Sequence, residues 1–239
     1  MWQGKNKAIT FSFDDAVLQD IRAFEILDKY GLKATFNLNS NALGGVRTHT
    51  YLGYTVNHSK VAPSDVKFIY QNHEVAGHTK DHIRLPSLEK DSSIIAQVEE
   101  DRLKLSELCG YEVIGMAYPC GGVNNDDRVA KIIKENTGIK YSRTITSTDN
   151  FDLQENLYRF NPSVYYLHPK KMFKLAVEFL SLKTDEPKLF YVWGHTYEMD
   201  YGNSEWITWE TFEEFCRLIS NKKDIFYGTN KEILLYKKC

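Results

Sequence analysis

Short runs of β-favouring residues alternate with segments of helical spacing along nearly the whole chain, and this alternation narrows the fold more than any other feature. The first unit shows the pattern. Ala8 to Phe13 reads as a strand, Asp14-Asp15 as an acidic turn, and Val17, Ile21, Phe24 and Leu27 as the apolar stripe of a helix that stops at Tyr30-Gly31. Lys33 to Leu38 reads as a second strand, and the polar stretch Asn39 to Ser59 as a long loop of the kind that covers or shapes a site. Ser64 is expected to cap a short helix leading to a strand at Glu74 to Gly77, and Ser92 to Leu108 to form a helix stopped by Gly110. Further strands are expected at Val113 to Tyr118, Lys140 to Ile145, Lys188 to Trp193 and near Asp224 to Tyr227. Helices are expected at Asp126 to Glu135, at Lys170 to Leu182, after Thr208, and after the capping box Thr229-Asn230-Lys231-Glu232. About seven or eight such units, without a Gly-rich dinucleotide loop, predict an α/β fold, a distorted (β/α)7–8 barrel of TIM-like type in one domain over 1–239.

Composition agrees and excludes some functions. The 239 residues, 42% hydrophobic and 13% aromatic, suffice for one core of barrel size. Thirty basic residues against 32 acidic ones leave a net charge of -2, so nothing points to nucleic acid, and a neutral substrate is the simpler expectation. No apolar run reaches the length of a signal core or a membrane span, so the chain as given reads as cytoplasmic, or as secreted or cell-surface if a leader has been removed. Cys109, Cys120, Cys216 and Cys239 lack C-x-x-C spacing and are expected to be reduced and mostly structural. Oligomeric state is left open.

Four clusters fall at the C-terminal ends of expected strands, where barrel active sites collect. In Ser12-Phe13-Asp14-Asp15, one carboxylate can bind a cation while its neighbour works as a base, although an isolated Asp pair before a helix is more often a cap. His78 and His82, four apart, can meet one metal, with Thr79 or Asp81 available to fix an imidazole tautomer. Two histidines plus a carboxylate make a three-ligand zinc set with a position left for water. The turn Tyr118-Pro119-Cys120-Gly121-Gly122 can aim a backbone N–H at a developing oxyanion, and His195 in Trp193-Gly194-His195 can protonate a leaving group.

These residues resemble the polysaccharide deacetylases with a NodB homology domain, carbohydrate esterase family 4, over nearly the whole chain. Phe11-Ser12-Phe13-Asp14-Asp15 is similar to that family's T-F-D-D motif, and His78-Thr79-x-x-His82 matches its H-[ST]-x-x-H metal motif. The resemblance implies Asp14 as general base and Asp15, His78 and His82 as ligands of a divalent metal, most often zinc, with cobalt, nickel or manganese as substitutes. It implies Cys120 as the backbone donor to the oxyanion, with Tyr118 beside it, His195 as general acid, and Trp193 near the acetyl methyl group. The implied reaction is removal of an acetyl group from an N-acetylated or O-acetylated carbohydrate by metal-activated water.

The departures are specific. The family's third motif carries an arginine that pairs with the catalytic aspartate, and Ala117 stands at that position. Arg143 and Arg22 are the candidates to replace it, Arg143 being favoured. The fourth motif, D-x-x-D-W, has no counterpart beyond Asp149, and Ala16 replaces the common glycine after the Asp pair. Tyr51, Tyr54, Tyr197, Tyr201, Trp206 and Trp209 could stack on sugar rings, though core packing accounts for most aromatics. His49, His58, His73 and His168 have no motif, and His58 or His168 could still enter the site on a loop. Two alternatives remain: another C–N hydrolase acting on a small amide or imide, and a carbohydrate-binding relative without turnover.

Overall fold

The computed structural model describes residues 1–236, so Cys239 lies outside the described residues. In chain order the elements are β1 (Lys7–Asp14), α1 (Asp20–Lys29), β2 (Ala34–Leu38), β3 (Thr48–Tyr51), β4 (Tyr54–Asn57), α2 (Val66–Ile69), β5 (Glu74–Gly77), α3 (Asp91–Ile95) and α4 (Asp101–Cys109). Then follow β6 (Gly115–Ala117), α5 (Asp127–Asn136), β7 (Tyr141–Arg143), β8 (Val164–Tyr165), α6 (Pro169–Ser181), β9 (Lys188–Gly194), α7 (Trp209–Ile219), β10 (Ile225–Tyr227) and α8 (Asn230–Leu234). Eight of the strands form a curled parallel sheet in the order β7-β6-β5-β2-β1-β9-β8, with β10 also paired to β1. The curl is a half-barrel, flanked by helices. Its seam lies between β7 and β8, where Phe160 exchanges backbone hydrogen bonds with β7 and Ser163 bonds to Tyr191 of β9.

β1 explains both layers. All eight of its residues are buried, yet apolar and polar side chains alternate, so its two faces meet different surroundings. Phe11 packs edge-on to Phe212 and Phe215 of α7, and Phe13 against Phe36 and Tyr166, in the outer apolar layer. Thr10, Ser12 and Asp14 face the interior, which is polar. There Thr10 donates to Asn230, Asn37 and Arg143 donate to Ser12, and Glu74 accepts from Thr35, Tyr141 and the Lys231 N–H. These bonds satisfy groups that burial would otherwise penalise.

Several local expectations need correction. The long loop after β2 contains an antiparallel hairpin, β3-β4, joined by Leu52-Gly53, both with positive φ (46° and 86°), as a tight two-residue hairpin turn requires. The helix expected over Ser92 to Leu108 is interrupted by a wide π turn at Ala96–Glu100. Ser64 caps nothing: its hydroxyl goes to Asp65, inside a 3-10 turn preceding α2. β8 is only two residues long, too short for a periodic signal. The helix expected after Thr208 is present, capped by the Thr208 side chain, and the capping box expected at Thr229 forms reciprocally with Glu232. No helix among the described residues is long and apolar enough to cross a membrane.

His73, just before β5, is packed on the Phe24 ring and accepts the Ala34 N–H through Nδ1. Burial outweighs the attraction of Asp28 and lowers its pKa from 6.5 to about 4. The unfolded chain therefore binds a proton that the folded one refuses between those values, and stability falls as pH drops through that window. His73→Asn, whose Oδ1 can accept the same N–H, is expected to flatten the acid limb, recovering on the order of 2 kcal/mol near pH 4 relative to pH 7 in denaturant titrations. An unchanged slope would show that His73 is not the group responsible.

Candidate active site

Asp14 and Asp15 separate because the strand ends between them. Asp14 keeps the inward direction of Ser12, whereas Asp15 takes φ 87° and turns away. The Arg143 guanidinium donates to both Asp14 oxygens at 2.5 and 2.6 Å, and Asn37 adds a bond of 2.8 Å. Arg143 is fully buried, bonds to Ser12 and to the Thr144 carbonyl, and lies 4.6 Å over the Trp193 ring. Burial pushes the Asp14 carboxyl up, but Arg143, His78 and His195 together hold it below the ordinary carboxylate range. Arg143 is also the register partner of Ala117 across the β6-β7 pair, so an arginine stands at the height of the family's motif residue, one strand sideways. Arg22, the other candidate, stacks on Trp209 and is not at the site.

One ligand atom each from Asp15, His78 and His82 lies within 4.8 Å of the others. His78 places Nδ1 2.8 Å from the Ala117 carbonyl, an acceptor only, so Nδ1 carries the proton and Nε2 keeps its lone pair. Burial lowers the His78 pKa to about 4, which keeps the ring neutral. The tautomer is thus fixed by Ala117 and not by Thr79 or Asp81, which bond to the Ile83 N–H and to Asn41 and Gln97. Asp15 Oδ1 is buried without a hydrogen-bond partner among the described residues, and His82 Nε2 stands 3.5 Å from it. A buried carboxylate oxygen left unmatched beside two imidazole nitrogens fits a zinc-type cation.

The loops around these candidate ligands are strained and tied down. Thr79, His82 and Cys120 have positive φ, as does Ala16, where glycine would be the easier residue. Asn39 donates to the carbonyls of His78 and Thr79, and Asp101 accepts the N–H groups of His78 and Ser40. The π turn contributes directly: the Gln97 carbonyl accepts the Lys80 N–H at 2.9 Å.

A cavity of about 620 Å³ opens above these groups, lined by Asp14, Asp15, His78, His82 and His195, with Tyr118, Cys120 and Trp193 on its walls. Cys120 N–H makes no hydrogen bond among the described residues, and its thiol, raised in pKa by burial, stays protonated. Tyr118 donates its hydroxyl to the Tyr158 carbonyl. Trp193 is sandwiched between Arg143 and Tyr165, whose ring stacks on it at 4.4 Å.

The structure adds residues that no motif marked. Glu198 accepts both the His195 backbone N–H and, at 3.0 Å, its Nδ1, and Tyr165 donates to the same carboxylate. Burial pulls the His195 pKa down, but Glu198, Asp14 and Asp15 more than offset it and raise it to about 9. A glutamate three residues after His195 is the spacing of a capping box, the one sequence signal that could have found it. His58 reaches Asp15 Oδ2 from the end of the β3-β4 hairpin at 3.2 Å, and Lys60 donates to the Asp15 carbonyl. His49 lines the cavity as well, while His168 only precedes α6. Tyr51, Tyr54, Tyr201 and Trp206 pack on one another, pinning the hairpin to the segment after His195.

The chain belongs to the polysaccharide deacetylase family, whose model, described as Polysaccharide deacetylase, matches residues 3–141. No curated protein matches the sequence. Among solved structures, a mutant of the CE4 family pseudoenzyme BA3943 with restored enzymatic activity is 18% identical, covers 96% of this chain and 68% of its own, and gives a TM-score of 0.60. The wild-type protein is from Bacillus anthracis. The Xyl-CE4 domain of a multidomain xylanase from the hindgut metagenome of Trinervitermes trinervoides is 15% identical over 96% of this chain and 90% of that one, with a TM-score of 0.60. BC0361, a polysaccharide deacetylase from Bacillus cereus, is 17% identical with a TM-score of 0.51 over 86% of this chain, which spans 50% of that protein. At these identities the likeness is one of fold.

The Asp14–Arg143 pair yields a direct test. Arg143→Met leaves a carboxylate buried without its counter-charge and is expected to cost about 3–5 kcal/mol of stability in denaturant titration. Adding Asp14→Asn should recover part of that loss, and additive losses would show the two residues to be uncoupled.

Proposed function

We propose that this cavity removes the acetyl group from an N-acetylated sugar, with O-acetylated sugars as a second class, and that Asp15, His78 and His82 hold a divalent cation, most naturally zinc. The observation that carries this reading is the unmatched Asp15 oxygen beside two imidazoles, on the floor of a cavity that also presents a charged carboxylate and a protonated imidazole. When bound, the cation supplies Lewis acidity to a carbonyl oxygen and acidifies a nearby water.

The chain's own residues divide the remaining work. Asp14, kept ionised by Arg143, accepts the proton of the attacking water. The free Cys120 N–H is available to the oxygen on which charge develops. His195, held protonated by Glu198, gives its proton to the departing amine. Asp14 ends β1 and His195 immediately follows the adjacent strand β9, with Oδ2 and Nε2 3.9 Å apart, so base and acid share one reaction centre. The Trp193-Tyr165 stack offers an apolar wall for the acetyl methyl group. The non-catalytic alternative was suggested by the absent motif arginine, and the Arg143–Asp14 pair supports the catalytic reading instead.

A calorimetric zinc titration of the metal-stripped protein is expected to show one tight site that His78→Ala abolishes. Asp14→Asn should keep that site while acetate release from N-acetylglucosamine oligomers falls by at least ~100-fold. The metal-dependent reading fails if the wild type binds no zinc tightly, and the role of Asp14 fails if its variant turns over normally.

A further inference from the structure

The cavity carries one cation more than the reaction needs. Asp14 is matched by Arg143, and Asp15 has the Lys60 ammonium 4.0 Å from Oδ1 while Oδ2 accepts a hydrogen bond from neutral His58. His195 is matched by Glu198. Arg47, immediately before β3, also lines the cavity, and it has no carboxylate within 4.0 Å among the described residues. Arg47 is solvent-exposed, so this charge stands where the cavity meets solvent and faces a ligand as it enters.

Arg47 is also held in place. Its Nε donates to His58 Nδ1 at 3.2 Å, and an arginine nitrogen can only donate, so His58 Nδ1 is the acceptor and its Nε2 carries the proton given to Asp15. His58 is buried and its ring is braced edge-on by Tyr197 at 4.6 Å. The guanidinium is therefore anchored through Nε. Its two terminal nitrogens make no hydrogen bond among the described residues. Anchoring removes much of the freedom an arginine side chain usually loses on pairing, and the remaining edge has the spacing that grips a carboxylate or phosphate with two parallel bonds.

We propose that Arg47 is an oxyanion receptor, and that the substrate is an acetylated amino sugar carrying a carboxylate or phosphate about one imidazole ring beyond Asp15. The inference rests on the deacetylase reading of the cavity and narrows it to an anionic substrate. The chain's net charge of -2 does not oppose this, because recognition depends on the local field at the cavity and not on the charge of the whole chain.

The test compares three probes on the zinc-loaded protein: N-acetylglucosamine, its 6-phosphate, and its 3-O-carboxyalkyl ether. The quantity read is the ratio of kcat/KM for each anionic probe to that for the neutral one, from acetate release. The wild type should favour one anionic probe by about tenfold or more, mainly through KM, and the favoured probe tells phosphate from carboxylate. In Arg47→Gln the ratio should fall to near one whatever happens to the absolute rates, Arg47→Lys should restore part of it, and added salt should reduce it in the wild type. A wild-type ratio near one, or a ratio that survives Arg47→Gln, overturns the proposal. If no probe releases acetate, calorimetric binding of the same three compounds separates the two ideas. An Arg47-dependent preference for the anionic sugars upholds the receptor and removes the deacetylase reading, whereas equal or absent binding removes the receptor.

Discussion

Asp14 and Arg143 are 2% and 0% exposed, and neither would tolerate that burial alone. Desolvating a carboxylate and a guanidinium is costly, and their attraction offsets the cost only when geometry is good and the remaining polar atoms are bonded. Here both Asp14 oxygens face one guanidinium nitrogen, Asn37 adds a donor, and Ser12 and the Thr144 carbonyl take the rest of Arg143. β6, β5 and β2 lie between β7 and β1 in the sheet, so this contact crosses the interior of the curl. It ties the edge of the half-barrel to its central strand while fixing the direction of the proposed base.

The same contact explains how a motif can be lost along the chain and kept in space. The family's arginine position is Ala117 on β6, and Arg143 is its register partner on β7. Both residues stand at the C-terminal ends of neighbouring strands, and from β7 the Arg143 side chain reaches Asp14. The Ala117 carbonyl, which does not depend on the side chain at that position, orients His78. His195 finds its carboxylate partner locally, in Glu198 of the turn that follows the histidine.

What could be read in the sequence follows from this geometry. Strands β1, β2, β5 and β9 were visible because their apolar residues recur with a clear period or run, and the chemistry-bearing residues sit at their ends, where a barrel must display them. Placing Arg143 near Asp14 needed the family's demand for an arginine, because 129 residues separate the two and no local pattern joins them. The hairpin β3-β4 was hidden because its strands are short and largely exposed, so neither face carries an apolar signature. The π turn was hidden because a single inserted residue shifts the helical phase without changing composition. His58 lacked any sequence signal, since its role depends on where the hairpin folds back.

That fold-back binds the variable part of the site to its fixed part. The segment after β4 runs antiparallel to the residues that follow the Asp pair, with Leu18 N–H donating to the Ser59 carbonyl and Val61 N–H to that of Ala16. Lys60 then reaches the Asp15 carbonyl and His58 its carboxylate, so one oxygen of Asp15 is held by the hairpin and the other faces the two histidines. A loop that shapes the cavity usually varies independently of the scaffold beneath it. This one cannot, because moving it would release His58 and let the Asp15 carboxylate rotate. The proposed selectivity at the cavity wall and the proposed cation site on its floor therefore share a single hydrogen-bonded chain, Arg47 to His58 to Asp15.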